Sequence, residues 1–175
     1  MNTVTKPRLG IDIGRVIIDG AAHPNGGDTA FFNGDEATML ATPEMTGAIE
    51  EIADLVALFD GEVWLVSKCG TRVQQRTLRW LDGHDFYART GLRRDRVRFC
   101  RERREKRGIC LDLGLTHFID DHPQVHEAIH GVVRYQFFFG PQRFPVPDYG
   151  RHTLTWPDAA AAVRATFAKR ASAGH

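Results

Sequence analysis

Short apolar runs of strand length recur along this chain, separated by longer segments whose apolar residues return at helical spacing. That alternation is the pattern of βα units feeding a mainly parallel sheet. The runs predict strands at 8–13, 62–66, 97–100, 116–119 and 132–138. With 175 residues and 42% hydrophobic content, the chain can bury one core, so a single domain over 1–175 is expected.

Between the first two strands, Thr42 can cap a helix that Pro43 opens, with Ile49, Ile52, Val56 and Phe59 on one face. Val73, Leu78 and Leu81 predict a second helix ending at Asp82-Gly83. Ile109 and Leu113 continue a third that begins near Arg101, and Pro123 opens a fourth. An alanine-rich terminal helix runs from Trp156 to about Arg170, with 171–175 fraying. Residues 19–35 are glycine-rich and without periodicity, so they read as a loop, part of a flap or short lid around 19–42.

A net charge of +1 gives no global pull toward nucleic acid or membrane, and no apolar run is long enough to cross a bilayer. The N-terminal apolar run is too short for a signal peptide. Cys69, Cys100 and Cys110 form no CxxC pair and read as structural, which suits a reducing cytoplasm.

Asp12 ends the first predicted strand, and Asp120 and Asp121 end a later one. In a parallel sheet these carboxylates gather at the carboxyl edge, where open α/β folds bind ligands. Crowded carboxylates repel unless a cation relieves them, and a hard oxygen donor set suits Mg²⁺. Ser67 closes the second strand at the same edge, and Lys106 offers a compact positive charge for a phosphate. Lys68 adjoins Ser67 and is a rival for that role.

In that order, Asp12 in GIDIGRVI, Ser67 in VWLVSKCG, Lys106, and Asp120-Asp121 in THFIDDHP resemble the four motifs of the haloacid dehalogenase superfamily. The resemblance spans about residues 8–138, and the terminal helix also looks like the ending of many relatives. It implies a three-layer Rossmann-like core in which Asp12 attacks phosphorus to form an aspartyl-phosphate that water hydrolyses. It implies that Asp12, the Gly14 carbonyl, Asp120 and Asp121 hold Mg²⁺, while Ser67 and Lys106 bind the phosphoryl group.

Two positions depart from that pattern. Gly14 stands where phosphatases of this superfamily carry a second aspartate as general acid and base, and Arg15 replaces a small residue. Asp19, His23 and His122 are the candidates to substitute. No interval holds an independent cap domain, so the site should be open. An open site favours a bulky or carrier-bound phosphorylated substrate, or a second copy of the chain closing it, with a free small phosphate ester as the alternative. Tyr149 and Phe144 could line an approach to it.

Residues 93–107 contain nine arginines or lysines, either the solvated face of a helix or an attractor of phosphate-rich ligands. Three functions follow: a Mg²⁺-dependent phosphatase, a weak or inactive binding or regulatory module, or a polynucleotide-end phosphatase. For each site residue there is a plain alternative, such as a strand-end aspartate capping a turn at Asp12 or a surface lysine at Lys106. His122, His126 and His130 share helical spacing but lack a transition-metal motif.

Overall fold

The computed structural model describes residues 5–24 and 26–173. Strand β1 (Leu9–Ile11) is followed by two short helices, α1 (Asp28–Asn33) and α2 (Glu36–Leu40), then by α3 (Ala48–Leu58) and β2 (Val63–Lys68). Next come α4 (Thr71–Gly83), α5 (Phe86–Thr90), β3 (Val97–Cys100), α6 (Lys106–Leu113), β4 (His117–Asp120) and α7 (Pro123–Ile129). The chain finishes with β5 (Tyr135–Phe139), β6 (Gly150–Thr153) and α8 (Trp156–Ser172).

All neighbouring strands pair in parallel, in the order β3-β2-β1-β4-β5-β6. Period-two alternation sorts their side chains onto two buried faces. Leu9, Ile11, Val63, Leu65, Ile119 and Phe137 pack in one core with residues of α3, α4, α5 and α8. Trp64, Val66 and Phe118 pack in another, against residues of α6 and α7. The result is a three-layer α/β architecture. Gly10 faces the second core because a Cβ there would stand 2.6 Å from Phe118 and 2.7 Å from Leu115.

Several boundaries differ from expectation. Helix α3 starts at Ala48, not at Pro43, because residues 43–45 pair with the chain leaving β1. Asp19 N–H donates to the Pro43 carbonyl at 2.9 Å and Met45 N–H to that of Ile17 at 2.7 Å. Thr42 caps nothing; it is buried, and its carbonyl accepts from Trp80 Nε1 at 2.9 Å. The predicted loop over 19–35 is instead mostly helical, with a 3₁₀ turn at Gly20–Ala22 before α1 and α2.

Strand β6 and helix α5 were not expected, since GRHT has no apolar alternation and FYART is too short to show a period. The predicted third helix begins later, at Lys106, after a 3₁₀ turn at Arg103–Glu105. Thr155 and Asp158 cap each other's amides at the start of α8, which continues to Ser172; residues 174–175 of the expected frayed end lie outside the described residues.

Candidate active site

The strand order reverses direction at β1 and β4, and the crevice beyond their carboxyl ends is where such sheets place ligands. Asp12 follows β1 directly, its amide donating to the Ile119 carbonyl of β4 at 2.9 Å. Asp120 is the last residue of β4. Past Asp12 the chain turns sharply: the Ile13 carbonyl accepts amides from Val16, Ile17 and Ile18 at 2.8–3.2 Å. Arg15 sits at the apex with φ of 60°, a left-handed backbone unusual for a residue other than glycine. This turn buries Val16 to Ile18 and leaves Gly14 and Arg15 at the mouth of the crevice.

Lys106 reaches the crevice from the first position of α6. Glu105 folds back to accept the amides of Arg101 and Glu102 at 2.8 and 2.6 Å, which tightens the 3₁₀ turn ahead of α6. The Lys106 side chain is then buried, and its Nζ donates to Asp12 Oδ1 at 3.0 Å and Asp120 Oδ2 at 2.8 Å. Asp120 Oδ1 accepts the His122 amide at 2.9 Å. Burial opposes the charge on Lys106, yet the two carboxylates outweigh it and raise its pKa.

One carboxylate oxygen from each of Asp12, Asp120 and Asp121 lies within 4.8 Å of the others, the one such acidic, histidine or cysteine cluster among the described residues. Burial and the charges of Asp12 and Asp120 push the Asp121 carboxyl up to about 8, and burial with the Asp120 charge raises Asp12 too. One ammonium does not offset three crowded carboxylates. A donor set of hard oxygens with an excess of negative charge fits a divalent cation.

These groups open onto a cavity of about 480 Å³. Ser67 and Lys68 line it from the end of β2, His122 from the start of α7, and Asp28, Phe31 and Phe32 from α1. The expected residues therefore sort cleanly. Asp12, Gly14, Ser67, Lys106, Asp120 and Asp121 all border one cavity, with Lys106 on the carboxylates and Lys68 exposed at the rim.

Of the substitutes for the missing aspartate, only His122 borders the cavity. His23 is buried with Nε2 against the Thr38 carbonyl at 2.8 Å, and Asp19 accepts the Ala22 amide. Tyr149 stacks on His130 at 4.0 Å and Phe144 is exposed, so neither lines the approach. His126 is buried against the Asp120 carbonyl at 2.8 Å and so does not join His122 and His130 in a metal site. The sequence reading missed Asp28, Phe31 and Phe32, because the glycine-rich segment gave no sign of which side chains turn inward.

No family model matches the sequence, and no curated protein matches it significantly. Among solved structures, the chain is similar to a haloacid dehalogenase-like family hydrolase from Xanthomonas campestris, with a TM-score of 0.65 at 14% identity. The match covers 93% of this chain and 96% of that one. This chain has the haloacid dehalogenase-like fold. The fold accounts for the position of the acidic cluster, since in a haloacid dehalogenase-like sheet the ends of β1 and β4 are adjacent and Asp12 and Asp120 must meet there.

Proposed function

We propose that the chain is a Mg²⁺-dependent phosphoric-monoester hydrolase with Asp12 as nucleophile. The observation that carries this reading is the convergence of Asp12, Asp120, Asp121 and Lys106 with Ser67 on one cavity. Asp12, Asp120, Asp121 and the Gly14 carbonyl would hold the cation, which when bound neutralises phosphoryl charge.

An Asp12 carboxylate oxygen attacks phosphorus, the ester P–O bond breaks, and the leaving oxygen takes a proton to depart as an alcohol. Water then adds to the phosphorus of the aspartyl-phosphate, releasing inorganic phosphate and the Asp12 carboxylate. Lys106 and the Ser67 hydroxyl stabilise the transferring group, Lys106 as a charge already fixed in place by burial.

We assign proton donation to His122. Its Nδ1 accepts the Gln124 amide at 3.2 Å, so the neutral ring carries its proton on Nε2. Burial, with Arg103 next, holds its pKa below the ordinary histidine value, so only the minor imidazolium form can protonate the leaving oxygen at neutral pH, which makes His122 a weak donor. Three free cysteines suit a cytoplasmic setting, and no helix among the described residues is long and apolar enough to cross a membrane.

The test is hydrolysis of an aryl phosphate and a phosphometabolite panel, with and without Mg²⁺, by wild type and Asp12→Asn. Turnover that requires both metal and Asp12 is expected. Folded protein with no turnover on any substrate would favour a binding module instead.

A further inference from the structure

Most side chains of the basic run at 93–107 are already engaged by the fold. Arg93 pairs with Asp95 at 2.6 Å, Arg94 with Asp82, Arg96 with Glu62 at 3.4 Å, and Arg104 with Glu102 at 2.6 Å. Arg98 and Arg107 donate to backbone carbonyls, Arg101 to the Thr71 hydroxyl at 2.5 Å, and Lys106 to the acidic pair. Arg103 is the exception: its guanidinium has no ion-pair or hydrogen-bond partner among the described residues, is half-buried, and borders the cavity.

Lys68 is a second cation without a partner among the described residues. It borders the same cavity and is exposed. The third cation beyond the reaction centre, Arg15, is already paired with Asp28 of α1. That pairing occupies Asp28, the one lining carboxylate among the described residues outside the acidic cluster. Helix α4 starts beside Lys68 with no side-chain cap at Gly70, which adds to the positive field there. Phe31, Phe32 and Val73 supply apolar wall nearby.

Two cations without ion-pair or hydrogen-bond partners among the described residues, both close enough to act on the His122 ring, are a binding site for a second anion beside the acidic cluster. We propose that the substrate is a small bis-anionic compound. Its phosphoryl group meets Asp12 and Lys106, and its second phosphate or carboxylate is held by Lys68 and Arg103. A long polyanion is disfavoured, because Arg93, Arg94, Arg96 and Arg104 are ion-paired and Arg98, Arg101 and Arg107 already donate to carbonyls or a hydroxyl. The proposal rests on the phosphatase reading for the first of the two anions.

Binding of non-hydrolysable probes separates the two ideas. Alkylphosphonates and phosphonocarboxylates of graded chain length are titrated calorimetrically into wild type, Lys68→Gln and Arg103→Gln, in Mg²⁺. At the best length, wild type is expected to hold the phosphonocarboxylate about tenfold or more tighter than the alkylphosphonate of equal length. Each substitution should shrink that ratio toward one.

Equal affinities in wild type, or a ratio untouched by both substitutions, would overturn the second anion site while leaving the phosphatase reading intact. Failure of both probe classes to bind would overturn both ideas. A 5′-phosphorylated oligonucleotide that binds more tightly than every phosphonocarboxylate would replace the small compound with a nucleic-acid end.

Discussion

Gly14 is the residue on which the chemistry turns. A Cβ at this position would meet nothing within 4 Å, so the absence of the expected aspartate is not forced by packing. Gly14→Asp should therefore fold normally and place a carboxyl at the cavity mouth. Positioned acid-base help contributes roughly 10²-fold or more, so the substitution is expected to raise Mg²⁺-dependent hydrolysis if His122 is a weaker donor. Steady-state kinetics on an aryl phosphate decides it, and an unchanged rate would mean that proton transfer does not limit turnover. His122→Phe should lower kcat for an alkyl phosphate more than for an aryl phosphate, since a good leaving group needs less protonation; equal losses would remove His122 from that role.

Helix α1 walls the cavity with Asp28, Phe31 and Phe32, and α4 is what holds the pair α1–α2 down. Arg76 on α4 is buried and donates from Nε to the Phe31 carbonyl at 2.8 Å and from Nη2 to that of Gly34 at 2.7 Å. These carbonyls are left unpaired at the end of a short helix, and a cation there satisfies them and complements the dipole. Arg72 adds a bond to the Phe32 carbonyl, and Arg79 pairs with Glu36 at 3.0 Å on the surface. The Arg15–Asp28 pair is more than half exposed on the arginine side and contributes little stability. Arg76→Ala is thus expected to raise amide hydrogen exchange across 28–40 and increase KM, with the exchange of β1 and β4 unchanged. Uniformly faster exchange would instead show that Arg76 stabilises the whole fold.

For the molecule as a whole, the acidic cluster sets a pH dependence that metal should suppress. Asp121 has its carboxyl raised from 3.8 to about 8 by burial first and by Asp12 and Asp120 next. A raised carboxyl favours the folded state below its unfolded value, and that stabilisation is lost as pH rises through the folded value. In chelator, wild type is expected to lose Tm relative to Asp121→Asn between pH 4 and about 8, and added Mg²⁺ should narrow the gap. A difference that is flat with pH in chelator would refute the strained cluster. His126 acts in the opposite direction: burial lowers it from 6.5 to about 4, so its contribution is lost as pH falls through that window.

How much of this could be read without coordinates follows from the range of the forces involved. Strand-end carboxylates at Asp12, Asp120 and Asp121, with Ser67 and Lys106 in order between them, were legible because parallel βα topology sends every strand's end to one edge. Period and caps gave the end of α4, the start of α7 and both ends of α8 nearly to the residue. What the sequence could not settle was which of Lys68 and Lys106 reaches the acidic pair, and which basic residue of the 93–107 run goes unpaired. Both depend on partners far along the chain: Asp12 is 94 residues from Lys106, and Glu62 is 34 from Arg96. Helices α1 and α2 likewise owe their order to Arg72, Arg76 and Arg79, about 40 residues downstream. Local pattern therefore determined the sheet and the identity of its acidic edge, whereas long-range charge pairing, visible only in the tertiary structure, decided which cations serve the cavity.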